Sequence, residues 1–355
     1  MRDILNMTHP ELLAFIRDDL GEPVFRADQV WQWLWQKGAS SFADMTNVSK
    51  ATRAVLEERC VIRAPEIAAE ERSADGTVKF LLRLADGECV ETVLIPSESR
   101  DGILRMTQCV SCQVGCAMAC TFCATGGMGF IRNMTMGEIL GQVLIARRYL
   151  GDTVETPRLR NIVFMGMGEP LLNFKEVMRS LEVMNHEMGF NFSPRRITVS
   201  TCGLQKGLLE LGESGLAYLA VSLHAPNQEL REKIMPRAAS WPLDDLVRTL
   251  AAYPLKTRER LTFEYLLLGG VNDGPEHARA LAKLMARVKA KLNLIVYNPV
   301  PGAPYAAPTP ERVAAFSDIL HAKHITAIIR KSKGQDIKAA CGQLRAASGG
   351  ASSRV

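Results

Sequence analysis

Apolar positions change spacing along the chain, and three regimes result. In residues 1–60 the spacing is helical: Leu12, Leu13, Phe15 and Ile16 follow Thr8-His9-Pro10-Glu11, a capped start with Pro at the first helical position. A second helix is predicted over Ala27–Lys37, ended by Gly38. Trp31 and Trp35 are four apart and share a face, while Trp33 points elsewhere. These tryptophans read as the core of a small helical module; the sharper alternative is that one of them stacks on a nucleic-acid base. Over 61–99 the spacing becomes that of strands. VKFLLRL and CVETVLIP, joined by the turn Ala85-Asp86-Gly87, predict a hairpin or three-stranded antiparallel sheet leading into the rest of the chain. From about 103 to 331 strand-like runs (ILRMTQCV, NIVFMG, RITVST, AYLAVSLH, LTFEYLLL, LNLIVYN, ITAIIRK) alternate with amphipathic segments of helix length. Repeated βα units imply a parallel sheet. A closed eight-fold barrel takes about 250 residues; six or so units point to an open, partial (βα)6 barrel.

The expected organisation is therefore α/β: a helical module (1–60), a short antiparallel β extension (61–99), a partial barrel (100–340), and a last segment (341–355) whose end, AASGGASSRV, is small, polar and flexible. Sites in parallel α/β folds form at the C-terminal ends of strands, and most of the candidates below follow a strand-like run.

Composition narrows the class without choosing a function. Hydrophobic residues make up 47% and charged residues 23% of the 355 residues, so a disordered chain is excluded. No stretch approaches the ~18–20 apolar residues of a membrane helix, and the acid-bearing N-terminus is not a secretory signal. A soluble, cytoplasmic protein is expected. Lys plus Arg (43) exceeds Asp plus Glu (38) by a margin that permits an anionic partner without demanding one.

The nine cysteines carry more information. Cys109, Cys112, Cys116, Cys120 and Cys123 crowd into one segment, while Cys60, Cys89, Cys202 and Cys341 are scattered. An odd count without an export signal argues for a metal or redox site over a disulfide framework. Cys116, Cys120 and Cys123 have the spacing C-x3-C-x2-C, in which three thiolates hold three irons of a [4Fe–4S] cube and leave the fourth open to a small molecule. Zinc is the competitor, since Cys109-x2-Cys112 and Cys120-x2-Cys123 form two C-x2-C pairs. The separation of these pairs is far shorter than the about fifteen to twenty residues of a zinc ribbon, and Cys116 would be unused.

With an aromatic residue, Phe122, before its last Cys, this motif resembles that of the radical S-adenosylmethionine superfamily. CVSCQVGCAMACTFCATGGMGF, FMGMGEPLLN, SPRRITVSTCG, VSLHAPN, YLLLGGVND, YNPVPG and DIKAACGQLR together resemble the RNA adenine-C2 methyltransferase family, RlmN, over almost the whole chain. The Cfr-type enzymes, which methylate adenine C8, share most of these motifs; FMGMGEPLLN and the Trp-rich N-terminal segment favour the C2 branch. A zinc-stabilised RNA-binding protein is the reading from another class.

The resemblance implies a radical mechanism. Adenine C2 is an sp2 carbon without a lone pair, so it cannot displace a methyl from a sulfonium. By resemblance, Cys116, Cys120 and Cys123 ligate the cluster, which chelates S-adenosylmethionine. Cys341 takes a methyl from one S-adenosylmethionine, and the 5′-deoxyadenosyl radical made from a second abstracts hydrogen from it. The methylene radical adds to C2; Glu91 removes the C2 proton; Cys109 attacks the Cys341 sulfur in a transient disulfide. Gly168 and Glu169 contact the cofactor amino group, and Ser200, Ser222, Leu223, His224 and Asn298 its remaining parts. The substrate implied is 23S ribosomal RNA, often with tRNA, and a flavodoxin-type electron donor is expected. No self-association motif is evident, so a monomer is expected. Cys112 and Cys202 stand where the family usually has Ser, a change that leaves the assigned roles intact. Arg158 with Arg160, Arg195 with Arg196, Lys289 with Lys291, and Arg330-Lys331-Ser332-Lys333 are candidate phosphate contacts near strand ends. The N-terminal module is expected to help recognise RNA, with the target base unstacked or flipped.

Overall fold

The computed structural model describes residues 1–98, 104–153 and 156–346; the tail expected to be flexible lies mostly outside them. Ten strands form one sheet: β1 (Glu66–Arg72), β2 (Val78–Arg83), β3 (Cys89–Glu98), β4 (Leu104–Cys109), β5 (Leu159–Phe164), β6 (Ile197–Thr201), β7 (Tyr218–Ser222), β8 (Leu261–Leu267), β9 (Ala290–Val296) and β10 (Ala327–Arg330). Spatial order follows chain order from β1 to β10. β1 to β4 pair antiparallel, and β4 to β10 pair parallel. The β extension is thus the continuation of the barrel sheet. Five-residue connections, 73–77 and 84–88, carry Gly76 (φ +83°) and Gly87 (φ +89°) in the left-handed region and fold β1–β2 and β2–β3 back.

Helical crossovers follow each of β4 to β9, giving six βα units closed by β10. The central strands are buried on both faces and so read as apolar runs: Leu219, Ala220 and Val221 of β7 are all buried. The helix Phe174–Asn185 is amphipathic, burying Val177, Leu181 and Met184 at spacings of four and three. Each such side chain contributes about 1.5–3 kcal/mol. The helix Met136–Leu150 instead buries nearly its whole circumference from Met136 to Ala146. The sheet covers one side and the N-terminal module the other. It begins at a capping box, with the Thr135 N–H donating to Glu138 (2.9 Å), and ends at Gly151 in the left-handed region.

The N-terminal module holds helices His9–Ala14, Phe25–Trp35 and Lys50–Arg59. Trp31 and Trp35 are buried and meet edge to face at 5.7 Å. Trp33 lies under the Lys37 ammonium and donates to Asn47 (2.5 Å). Packing in the core accounts for Trp31 and Trp35, whereas Trp33 is partly exposed. The module docks on the barrel through Asn6, which accepts from Gly137 N (2.8 Å), and Arg179, which donates to Asn6 O and Glu11.

After β10 the chain crosses the open side of the barrel as a strap, residues 331–346. Gly334 N donates to Asp75 (2.9 Å) and Ala74 N to Asp336 (3.3 Å), tying the strap to the β1–β2 turn. Further along, Gly342 O accepts from Ala124 N (2.7 Å), Leu344 O from the Thr125 hydroxyl (2.6 Å), and the Arg345 N–H donates to Glu91 (2.7 Å).

Candidate active site

The loop of residues 116–123 follows the strand Gln113–Gly115, whose short hairpin partner is Phe130–Asn133. It borders a cavity of about 160 Å³ at the C-terminal ends of the parallel strands. Cys116, Cys120 and Cys123 line it, and so do Gly168, Glu169, Ser200, Ser222, His224 and Cys341. Residues from five strand ends and the strap therefore meet in one place, as the strand-end rule predicts. Two of the residues predicted to hold the cofactor stand outside the lining. Leu223 buries its side chain in the core, its N–H donating to Glu264 O and its carbonyl accepting from Arg231. Asn298 is buried just past β9; its Oδ1 accepts from Gln335 (2.6 Å) and its Nδ2 has no partner. An orphaned buried donor is costly unless a ligand satisfies it.

Glycine at 168 is obligatory. Its φ is +105°, and a Cβ there would stand 2.6 Å from the Gln113 Cβ. Glu169 next to it is buried with both oxygens anchored: Oε1 accepts from Leu171 N (3.0 Å) and Oε2 from Cys202 N (2.8 Å). Burial pushes this carboxyl above its usual range, while the backbone donors pull it back. Remaining lone pairs face the cavity and suit an ammonium. His224 holds a left-handed backbone (φ +54°), and its Nδ1 accepts from Leu266 N (3.1 Å). The ring is therefore neutral with its proton on Nε2. Burial, helped by Arg231, drives its pKa down to about 3. Phe122 packs edge-on against it at 5.1 Å.

The donor set fits an iron–sulfur cube. Burial pushes the Cys116 thiol up to about 12 and Cys120 well above its ordinary value. Converging thiols this hard to ionise become thiolates when a cationic centre binds them. Among the described residues no three His, Cys, Asp or Glu side chains are gathered as ligands of a single ion. The thiols stand around a cavity, as ligands on three separate irons must. The tetrahedral zinc set fares worse: Cys109 and Cys112 are buried in the main core and neither lines this cavity.

A second cavity, about 70 Å³, adjoins the first and shares Met165, Ile295, Cys341 and Gly342 with it. Cys109, at the end of β4, opens onto it. The structure thus brings Cys109 and Cys341 to one space. Burial, reinforced by the neighbouring Cys341, pushes the Cys109 thiol up to about 12. Cys341 is an exposed residue that lines both cavities; the protein packed around its sulfur raises the thiol, opposed by the Arg330 guanidinium.

Glu91 lies on β3 outside both linings, one strap residue away from the second cavity: its Oε2 accepts from Arg345 N, beside the lining residue Leu344. Its side chain is 7% exposed, and Oε1 stands 3.3 Å from Lys79 Nζ. Burial pushes its carboxyl above the usual range and Lys79 opposes the shift.

Several site residues escaped the sequence reading. Glu264 of β8 is buried in the cavity wall, accepts from Asn293 (2.8 Å) and faces Arg330 at 3.8 Å. A lone acid inside the apolar run LTFEYLLL was its signal. Buried Arg231 holds the carbonyls of Cys202 (2.6 Å) and Leu223 (3.3 Å), fixing two strand ends; nothing in its helix marks it. The basic pairs need a correction. Arg158/Arg160, Arg195/Arg196 and Lys289/Lys291 stand at the starts of β5, β6 and β9, the end of the barrel opposite the site. Only the run 330–333 borders a site cavity.

The open βα barrel, with three loop thiols at its mouth, defines a radical S-adenosylmethionine enzyme. In agreement, residues 110–283 match the radical SAM superfamily and residues 2–62 the ribosomal RNA large subunit methyltransferase N-terminal domain. The chain is 73% identical over 347 residues to the dual-specificity RNA methyltransferase RlmN of Nitratidesulfovibrio vulgaris, covering 98% of this chain and 95% of that one. It is 57% identical over 346 residues to that of Lawsonia intracellularis, covering 97% of each. A solved radical SAM methyltransferase from Sphaerobacter thermophilus superposes with a TM-score of 0.89 at 43% identity, covering 98% of this chain and all of that one. The chain belongs to the RlmN family of radical SAM RNA methyltransferases, a family whose chemistry implies a [4Fe–4S] cluster and S-adenosylmethionine. Among the described residues no helix is long and apolar enough to cross a membrane.

Proposed function

We propose that this enzyme methylates C2 of adenine in 23S ribosomal RNA and in tRNA, with Cys341 as methyl carrier, Glu91 as base and Cys109 as resolving thiol. One observation carries the reading: Cys341 lines both the three-thiol cavity and the cavity that holds Cys109. A carrier thiol must meet the methyl source on one side and its resolving partner on the other.

Cys116, Cys120 and Cys123 would hold the cluster. Gly168, Glu169, Ser200, Ser222 and His224 would hold S-adenosylmethionine, with the free Nδ2 of Asn298 suited to its carboxylate and Leu223 fixing the backbone between Ser222 and His224. Bound together, the two groups supply a sulfonium methyl and the hydrogen abstraction that makes a methyl carbon reactive, at two S-adenosylmethionine molecules per turnover. The protein's residues do the rest. Cys341 accepts the methyl as a thioether and presents its carbon to the base. Once that carbon has bonded to C2, the buried Glu91 carboxylate takes the C2 proton. Cys109 then gives up its proton and bonds to the Cys341 sulfur; the S–C bond breaks, the freed carbon takes a proton to complete the methyl group, and the one electron left from the radical addition would return to the bound cluster. Lys331 and Lys333, bordering the second cavity, suit backbone phosphates of the RNA. A monomer working in the cytoplasm with a flavodoxin-type donor fits these features.

The test is an anaerobic reaction of reconstituted protein with ribosomal RNA or tRNA fragments, read by nucleoside mass spectrometry. The expected product is 2-methyladenosine on both RNAs, absent with Cys341→Ala. 8-Methyladenosine would move the enzyme to the C8 branch, and product from Cys341→Ala protein would refute the carrier.

A further inference from the structure

Lys79 is a buried cation that the mechanism above does not use. Its side chain is 8% exposed, with Nζ 3.3 Å from Glu91 Oε1 and 3.0 Å from Glu71 Oε1. Strand register creates this line. Glu71 of β1 pairs directly with Lys79 of β2, and Glu91 on β3 is the diagonal neighbour, since Lys79 pairs with Val93 and Leu81 with Glu91. Residues two apart on a strand share a face, so the three charges lie in one row across three strands. The row runs from inside to outside: Glu91 is 7% exposed and Glu71 52%. One buried ammonium between two carboxylates avoids the cost of an unpaired charge at either end. The groups facing Glu91 are Lys79 from β2, Glu71 from β1 beyond it, and the Arg345 N–H from the strap.

We propose that Glu71, Lys79 and Glu91 form a proton exit, in which Lys79 positions the Glu91 carboxylate and passes the proton that Glu91 takes from the base outward to Glu71 and solvent. This rests on the reading of Glu91 as the base. The balance closes without a further reactant. Glu91 takes the C2 proton while the C–H electron pair stays with the base. Lys79 gives one of its three protons to the Glu71 carboxylate, and its freed lone pair takes the proton from the Glu91 carboxylic acid. Glu71 releases its proton to water, which leaves Glu91 and Glu71 ionised and Lys79 charged, as at the start. Lysine suits this position because an ammonium can shed a proton and a guanidinium cannot.

The experiment compares Lys79→Met, Lys79→Arg, Glu71→Gln and Glu91→Gln in the reconstituted full-length enzyme. Two quantities are read: decay of the covalent RNA–protein adduct on denaturing gels, and the titration midpoint of Glu91 by isotope-edited infrared spectroscopy. Lys79→Met is expected to raise the midpoint, because it removes a cation that favours the carboxylate, and to slow adduct decay about 10- to 100-fold, within the range of lost proton-transfer catalysis. Lys79→Arg is expected to restore the midpoint and leave decay slow. Glu71→Gln, on the surface, is expected to slow decay with methylation of Cys341 unchanged. Wild-type decay in Lys79→Arg or in Glu71→Gln would overturn the exit. Wild-type decay in Glu91→Gln would overturn the base assignment itself, a separable result.

Discussion

The two thiol sets of this enzyme are built in opposite ways. Cys116, Cys120 and Cys123 sit on one continuous loop, and local geometry suffices to gather them. Cys109 and Cys341 come from the end of β4 and from the strap, and long-range contacts, both strap hydrogen bonds and core packing, hold them at one cavity. The loop is stiffened by close packing: a Cβ at Gly126 would stand 2.9 Å from Cys120 N. The strap is held by scattered hydrogen bonds, among them those to Asp75, Ala74, Glu91, Ala124, Thr125 and Asn298, and by the buried Ala339, Leu344 and Ala346. Metal loading should thus respond to changes within the loop, and methyl transfer to changes far away in sequence.

The largest effect expected is from Cys120→Ala, which removes one proposed cluster ligand. Iron should fall from about four per chain to background, with loss of all product, measured by iron analysis and nucleoside mass spectrometry. Retention of iron would break the assignment of the loop. Cys341→Ala should abolish product equally while iron stays at the wild-type level, which separates the two thiol sets in one assay. Gly126→Val is next: the crowding at Cys120 should lower iron loading several-fold, with strap protection unchanged by hydrogen exchange.

A smaller effect is expected at the strap. Asp75→Asn weakens the bond from Gly334 N, so hydrogen exchange of residues 333–346 should quicken about fivefold, the equivalent of about 1 kcal/mol, at unchanged iron content. The smallest effect follows from pH. Burial would raise the Asp75 pKa, but donation from Gly334 N and Thr77 N holds it down at about 2, below its ordinary 3.8. A depressed carboxyl stabilises the bound state above its free pKa and loses that stabilisation as pH falls through its bound one. Strap protection should therefore be level above about pH 5 and decline toward pH 2. The decline should be shallower in Asp75→Asn, with Asp336 and Glu91 carrying what remains.

Much of this was legible in sequence because it depends on neighbours in the chain. Helical spacing marked the N-terminal module and the crossovers, and apolar runs bounded by turns marked the strands. The strand-end rule pointed to the cavity wall: Ser200 and Ser222 lie in the last residues of their strands and His224 just past one, and all three line the cavity. The same rule was misapplied to Arg195 and Lys289, which precede theirs. Asn298 and Leu223 lie next to strand ends too, yet side-chain direction set them outside the cavity lining. Glu264 was hidden because a single acid in a strand does not announce its face.

The C-x3-C-x2-C spacing, the order of βα units and the identity of the candidate reactive side chains were determined by the sequence alone, since each rests on separations of a few residues. The meeting of Cys109 with Cys341, the row Glu71–Lys79–Glu91 and the crossing of the strap were decided by tertiary structure. Sheet register and strand order bring such residues together across long stretches of chain, and no local periodicity encodes that distance.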